Sequence, residues 1–276
     1  MEIKHVLQAN NFKFNKKFGQ NFISDTNLLN AIVTDAEITK DDVVIEIGPG
    51  AGSLTYAIAQ QAKKVVAFEI DTNLKEVLKT TLLGVNNVEV IFKDVMDVDM
   101  AEIEAIAGGP YKVVANLPYY ITTPILMRFL EESTNMQSMS IMIQKEVADR
   151  LTAKAGTKDY GRVTVAVDYF GNAKLTRNVL RQMFYPQPNV DSAVVRIDKQ
   201  SKYSCSDTKL LRNVVKSAFA MRRKVFSTCL ASGLGISKDK AVEYIEALGK
   251  SSTIRGETLT TQEFVDLVEI IKKDRQ

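Results

Sequence analysis

Four stretches of the chain carry residue types whose spacing could do chemistry. Glu46-Ile47-Gly48-Pro49-Gly50-Ala51-Gly52 sets three glycines at alternate positions, which permits tight turns and close backbone approach to a ligand. Glu69 lies 21 positions after Gly48, the distance at which a neighbouring strand brings a carboxylate to ribose hydroxyls. Asp94 is placed to accept from the exocyclic amine of an adenine. These three features fit a nicotinamide dinucleotide as well as S-adenosylmethionine. The third glycine of a dinucleotide fingerprint would fall on Ser53, which weakens the first option. The fourth stretch is Asn116-Leu117-Pro118-Tyr119. An amine conjugated to an aromatic ring shares its lone pair and is a poor nucleophile. The Asn116 side-chain oxygen and the Leu117 carbonyl can both accept its N–H groups, which favours a pyramidal nitrogen with an available lone pair. Pro118 stiffens the turn. Tyr119 can stack on a planar base and favour a partial positive charge over its ring, worth roughly 0.5–2 kcal/mol. The chain has one histidine and two cysteines, so a Ser-His-Asp triad, a His-based metal centre or a disulfide framework has almost no material. No metal is expected.

The elements that must position these residues alternate short apolar strands with helical patterns, as in a parallel α/β sheet. Strands are expected at 43–47, 65–70, 88–92, 111–115 and 139–143, with two later ones at 163–169 and 192–197. Helices are expected at 54–61 and 72–81. The glycine-rich turn, Glu69, Asp94 and Asn116 then fall at the carboxyl ends of the first four strands, where such sheets bind ligands. The pattern changes after Ile197. Residues 198–207 read as a polar linker. From Thr208 the period is helical, with Leu211, Val214, Val215, Ala218 and Phe219 on one face. Gly233 and Gly235 are expected helix stops. A short helix is expected at 242–248, and Thr260-Thr261-Gln262-Glu263 is a capping box opening a last helix with Phe264, Leu267, Val268 and Ile271 inward. The expected division is a basic arm at 1–20, a Rossmann-like domain at 21–197 and a helical domain at 208–276.

Composition and charge are consistent with this division. The chain of 276 residues is 45% apolar and 25% charged, enough to bury a core and against intrinsic disorder. No apolar run reaches the length of a membrane span. The start lacks the apolar core of a secretory signal, and the first arginine is Arg128, unlike an Arg-rich presequence. A cytoplasmic protein is expected. The net charge of +3 is uneven: residues 1–20 carry +3, residues 21–197 carry −5 and residues 198–276 carry +5. Basic ends around a mildly acidic middle suit a catalytic body with surfaces for an anionic partner. His5 is expected to be inert, the nine methionines core filler, and Cys229 a buried thiol.

Asn116-Leu117-Pro118-Tyr119 resembles the [D/N/S]-P-P-[Y/F] motif of methyltransferases acting on planar amino groups. Its Leu117 is similar to the Ile or Leu found there in ribosomal RNA adenine dimethyltransferases. Phe18-Gly19-Gln20-Asn21-Phe22-Ile23-Ser24-Asp25 resembles the F-G-Q-N-F-L-x-D signature of that family, in which Asn21 and Ile23 would contact the cofactor. Phe184-Tyr185-Pro186-Gln187-Pro188-Asn189-Val190-Asp191-Ser192 resembles its F-x-P-x-P-x-V-x-S loop, in which Phe184 would cover the second face of the target base. Two aromatics around an extruded base suit an enzyme that must unstack its target. Ala218 to Lys224 resembles its A-F-x-x-R-R-K signature, and Arg255 to Leu259 its R-x-E-x-L segment, with Gly256 where Ala is common. The resemblance spans roughly residues 10–265, and the family is the bacterial small-subunit ribosomal RNA adenine dimethyltransferases.

The resemblance implies a Rossmann-like domain that binds S-adenosylmethionine through Asn21, Ile23, Gly48, Gly50, Gly52, Glu69, Asp94 and Asn116. Asn116, Leu117, Pro118, Tyr119 and Phe184 would form the catalytic side. It implies four methyl transfers to N6 of two adjacent adenines in a hairpin loop near the 3′ end of small-subunit rRNA, within a partly assembled subunit. Arg222, Arg223 and Lys224, on an expected helix, with Lys16 and Lys17 in the arm, are the candidate RNA contacts, and Lys13 belongs to the same arm. Three adjacent helical cations spread over about 300° and cannot all face one phosphate. A monomer without membrane contact is expected. Two rivals remain. One is the large-subunit rRNA adenine methyltransferase of the macrolide-resistance type, which shares the cofactor turn and the Asn116 motif. The other is a non-catalytic assembly or RNA-binding factor on the same fold.

Overall fold

The computed structural model describes residues 3–10, 12–14, 19–23, 25–118, 121–221 and 223–275. In chain order, the helices are α1 (Ile3–Ala9), α2 (Thr26–Asp35), α3 (Ser53–Ala59), α4 (Lys75–Thr81), α5 (Met100–Ala107), α6 (Thr122–Glu132), α7 (Lys145–Leu151), α8 (Arg162–Phe170), α9 (Thr208–Ala218), α10 (Phe226–Leu234), α11 (Lys238–Ala247) and α12 (Thr261–Asp274). The strands are β1 (Phe22–Ile23), β2 (Val43–Ile47), β3 (Lys64–Phe68), β4 (Val88–Ile91), β5 (Tyr111–Asn116), β6 (Met136–Gln144), β7 (Gly171–Val179), β8 (Phe184–Tyr185) and β9 (Ser192–Lys199). Packing divides the chain into two units, residues 1–148 with 173–199 and residues 149–172 with 200–276.

In the first unit the described strands form a sheet of order β4-β3-β2-β5-β6-β9-β7. β4 to β6 run parallel, and β9 is antiparallel to β6. The central strands are buried on both faces, as Val44, Ile45, Val65, Val66, Val113 and Val114 are each at most 1% exposed. That explains their continuous apolar runs. The strand order reverses between β2 and β5, and this switch point opens the crevice. The expected strands at 43–47, 65–70, 88–92, 111–115, 139–143 and 192–197 all match strands of the sheet to within a few residues. The arm expected at 1–20 is partly helical: α1 buries Val6 and Leu7 against Leu74, Val77 and Leu78.

The strand expected at 163–169 is instead helix α8. Its β-branched run reads as a strand by period, but the local hydrogen bonding decides otherwise. The Thr164 hydroxyl accepts from Gly161 N at 3.1 Å and donates to the Arg150 carbonyl at 2.6 Å, fixing the helix start. Residues 149–172, assigned to the first domain by sequence, pack with the helical unit. Tyr160 and Val165 sit in its core beside Phe226, Phe264 and Val268, and the Tyr160 hydroxyl donates to Leu259 O at 2.9 Å. Leu211, Val214, Val215 and Ala218 of α9 and the expected inward face of α12 are buried, while Phe219 lies just past the end of α9 and is half-buried. The capping box is formed: Glu263 N donates to Thr260 Oγ1 at 3.3 Å, and Thr260 N to Glu263 Oε2 at 2.8 Å. Gly235 ends α10 with a left-handed φ of 65°. Gly233, an expected stop, lies inside α10 because α9 packs close: a Cβ there would stand 2.7 Å from Ser217 Cβ.

Candidate active site

The site is built at the carboxyl ends of β2, β3 and β5. β2 ends at Ile47, and the turn to α3 runs through Gly48, Gly50 and Gly52, all with left-handed φ. At Gly50 glycine is required twice, because φ is +57° and a Cβ would meet the Phe22 ring at 2.8 Å. Glu69, the residue after β3, turns its carboxylate back onto this loop. Gly50 N donates to Oε2 at 3.0 Å and Asp71 N to Oε1 at 2.8 Å. Burial raises the Glu69 carboxyl above its ordinary range, while the two backbone donors hold it down.

At the end of β5, Leu117 N donates to Met142 O at 3.2 Å, and Pro118 O accepts from Ile121 N and Thr122 Oγ1, both at 3.2 Å. These bonds hold Leu117 to β6 and Pro118 to the start of α6. The Asn116 amide Nδ2 donates to the Asn21 carbonyl at 3.1 Å. Because that carbonyl can only accept, the bond fixes which way the amide faces and leaves its oxygen as the acceptor. Asp94 lies past β4 and accepts from Met96 N at 2.9 Å, so it caps a short turn while lining the cavity.

One cavity collects Asn21, Ile23, Gly48, Gly50, Glu69, Asp94, Asn116, Leu117, Pro118 and Phe184. Gly52 is not among its lining residues. It caps α3 in the left-handed region and packs under Leu78 and Thr81, so it shapes the turn. Phe184 is 6% exposed, facing the cavity from the core around Ile23 and Val194. Tyr119, Lys16, Lys17 and Arg222 lie outside the described residues. Arg223 and Lys224 are exposed and lie between α9 and α10 rather than on the expected helix. Lys224 N bonds back to Met221 O at 2.9 Å, beyond the end of α9 at Ala218.

Glu46 and Gln20 are among the lining residues that the sequence reading does not single out. Glu46 is 1% exposed, lines the cavity and has an Oε2 without a partner among the described residues. Burial, with the nearby Glu69 charge, pushes its carboxyl up to about 8. The signal was present: a lone acid inside the apolar run 43–47 is out of place in a buried strand. Gln20 donates to Asp71 Oδ2 at 2.6 Å, tying the segment before β1 to the residues after Glu69. Among the described residues no cluster of His, Cys, Asp and Glu could hold a metal.

A parallel sheet with a glycine turn, a carboxylate one strand over and an oriented amide at the switch point define a Rossmann-like methyltransferase. Comparison with known proteins narrows the class. The family described as "Ribosomal RNA adenine dimethylase" matches residues 11–273, and the chain belongs to it. The chain is 45% identical to the ribosomal RNA small subunit methyltransferase A of Clostridioides difficile (strain 630), covering 97% of this chain and 94% of that one. It is 48% identical to the protein of the same name from Alkaliphilus metalliredigens (strain QYMF), covering 96% and 94%. Among solved structures, a dimethyladenosine transferase from Plasmodium falciparum superposes with a TM-score of 0.78 at 25% identity, over 92% of this chain and 98% of that one. The 23S rRNA methyltransferase ErmE superposes with a TM-score of 0.70 at 26% identity, over 91% and 100%. The chain is thus an rRNA adenine dimethyltransferase by family.

Proposed function

We propose that the chain transfers methyl groups from S-adenosylmethionine to N6 of two adjacent adenines in a 3′-terminal hairpin loop of small-subunit rRNA, acting in the cytoplasm as a monomer on an immature subunit. The observation that carries this reading is the Asn116 amide, oriented by the Asn21 carbonyl in the same cavity as Glu69, Asp94 and the glycine turn. The cavity suits the cofactor: it holds an unpartnered buried carboxyl oxygen on Glu46, and a side chain on Gly50 of its glycine turn would meet the Phe22 ring at 2.8 Å. Glu69 would hold the ribose hydroxyls, Asp94 the adenine amine, and Asn21 and Ile23 would cover the bound molecule. When bound, S-adenosylmethionine supplies an electrophilic methyl group on a sulfonium.

The chain's own residues prepare the amine. The Asn116 oxygen and the Leu117 carbonyl accept the N6 hydrogens, favouring a pyramidal nitrogen whose lone pair points away from the ring. Leu117 N and Pro118 O are already bonded before substrate arrives, and such preorganisation costs no rearrangement during reaction. Phe184 closes one face of the base, and Tyr119 is assigned the other by its place in the motif. No strong general base is needed, because a methylated ammonium N6 loses its proton readily. Arg223 and Lys224 face solvent, where they can meet phosphates. Arg222, Lys16 and Lys17 take the same role by their place in the family's segments.

The test is tritiated methyl transfer from S-adenosylmethionine to undermethylated small and large subunits, followed by nucleotide mapping. Label on two adjacent adenines of the small-subunit RNA is the expected outcome. Label on large subunits alone would move the assignment to the macrolide-resistance type, towards which the ErmE likeness points. Binding to small subunits without transfer would favour a non-catalytic assembly factor.

A further inference from the structure

A two-stranded ladder closes over the cavity. β1 pairs antiparallel with β8, setting Ile23 opposite Phe184 and Phe22 opposite Tyr185. Side chains alternate along a strand, so the ladder has two faces. Ile23 and Phe184 line the cavity on one face. On the other, Phe22, which also borders the cavity, and Tyr185 meet the N-terminal segment: Phe14 lies 5.8 Å from Phe22 and 5.6 Å from Tyr185 between ring centroids, and Phe12 lies 5.6 Å from Phe14 and 6.1 Å from Phe22. These separations lie in the range of favourable ring pairs. The Phe22 ring also covers Gly50, where a Cβ would meet it at 2.8 Å. Asn21, directly before β1, accepts from the Asn116 amide. β1 and the residue before it therefore touch the glycine turn, the Asn116 amide, and the loop that carries Phe184.

We infer that this ladder and its aromatic cluster couple the two halves of the site, with Phe14, Phe22 and Tyr185 as positioning residues that make cofactor binding and RNA-base capture mutually reinforcing. The inference rests on the function proposed above. A displacement of β8 when a base enters beside Phe184 is passed to Ile23 and Phe22 through the ladder, and Phe22 cannot shift without leaving Gly50. The reverse holds when the glycine turn closes on a ligand. Lys13, exposed between Phe12 and Phe14, gives an RNA phosphate a handle on the same cluster. Such coupling is reciprocal, so each ligand must tighten the other by the same factor.

The experiment measures the dissociation constant of tritiated S-adenosylhomocysteine by equilibrium dialysis, with and without saturating undermethylated small subunits. Subunit affinity is measured by pelleting, with and without S-adenosylhomocysteine. The parent is expected to show a ratio of about five or more in both directions. Tyr185→Ala and Phe14→Ala should bring the ratio to below about two, while Tyr185→Phe, which keeps the ring that meets Phe14, holds more of the coupling than Tyr185→Ala. Phe14 is 38% exposed, so its variant reports the coupling if Tyr185→Ala does not fold. A parental ratio of one, or a ratio unmoved by both alanine variants, overturns the coupling and leaves the proposed function standing. A parent that binds neither S-adenosylhomocysteine nor small subunits overturns both.

Discussion

The cavity at the β2–β5 switch and the turn bearing Arg223 and Lys224 differ in how tightly the chain holds their functional groups. In the cavity, Glu69 is fixed by two backbone donors and Asn116 by a carbonyl from a segment 95 residues away in sequence. Arg223 and Lys224 project from an exposed turn, and the helical core of their unit is shaped without them. The difference follows from the task. A reacting amine must be held to within tenths of an ångström, because misplacement costs rate directly. A phosphate contact acts through charge, tolerates several geometries and adds nearly uniformly. Substitutions in the cavity should therefore act through geometry, and substitutions on the turn through salt-dependent affinity.

The sharpest way to break this contrast is Asn116→Ala. It removes one acceptor for the amine while the Leu117 and Pro118 bonds keep the turn in place. Single-turnover methylation should fall by about 100-fold, with subunit pelleting retained. A parental rate would remove Asn116 from the mechanism. Glu69→Ala comes next. Loss of the carboxylate proposed to hold the ribose, and of the anchor for Gly50 N and Asp71 N, should weaken S-adenosylhomocysteine binding by roughly 1.5–3 kcal/mol in calorimetry. Unchanged cofactor affinity would show that this carboxylate only braces the loop.

Glu46 gives the cavity a pH signature. Its carboxyl is raised from 4.5 to about 8 by burial. Between these values the unfolded chain releases a proton that the folded chain keeps, so folding stability declines as pH rises through that window. Glu46→Gln removes the penalty. The variant should gain little melting temperature at pH 5 and several degrees at pH 8, of the order of 2 kcal/mol. Equal gains at both pH values would show that Glu46 is charged in the folded protein. In the helical unit the matching substitution is Gly233→Val. Its Cβ would stand 2.7 Å from Ser217 Cβ, so overpacking between α9 and α10 should cost about 2 kcal/mol. Thermal unfolding should shift down while cofactor affinity stays parental. A parallel fall in cofactor affinity would mean that the two regions are not separable.

The same contrast explains what the sequence disclosed. The cavity residues were legible because each required a particular residue type: glycine at a left-handed φ, an acid after a strand, an amide before a proline. The inner strands and the Thr260–Glu263 box were legible because burial and capping leave local patterns. β7 was not legible. It is an edge strand, and its sequence Gly171-Asn172-Ala173-Lys174-Leu175-Thr176-Arg177-Asn178-Val179 carries charge that suits an unpaired edge. Arg177 is used there in a pair with Asp35, with contacts of 2.9 and 3.1 Å. The α8 segment was misread as a strand because its alternation of Val and Thr outweighed a helix start fixed by Gly161 and by Arg150, one of them 14 residues distant. Glu46 was overlooked because it sits inside a strand pattern, and only the folded cavity shows its unpartnered oxygen.

The smallest expected effect tests the other side of the contrast. Replacing Arg223 and Lys224 together with Ala removes two exposed charges and leaves the buried helical core untouched. Stability should stay within about 0.5 kcal/mol of the parent, and S-adenosylhomocysteine affinity should not move, since neither residue lines the cavity. Small-subunit affinity should drop by about 1 kcal/mol near physiological salt. The plot of log affinity against log salt should flatten by about 0.7–0.9 for each phosphate that is no longer neutralised. Salt dependence is the discriminating reading, because altered packing would lower affinity equally at every salt concentration. If both cations meet phosphates, the slope flattens by about 1.4–1.8. If one of them is merely solvated, it flattens by half as much. The single variants Arg223→Ala and Lys224→Ala then assign the phosphate to one side chain. Parallel salt plots for the parent and the double variant would show that the turn merely faces solvent, and would leave the positive charge of residues 198–276 without an RNA partner at this position.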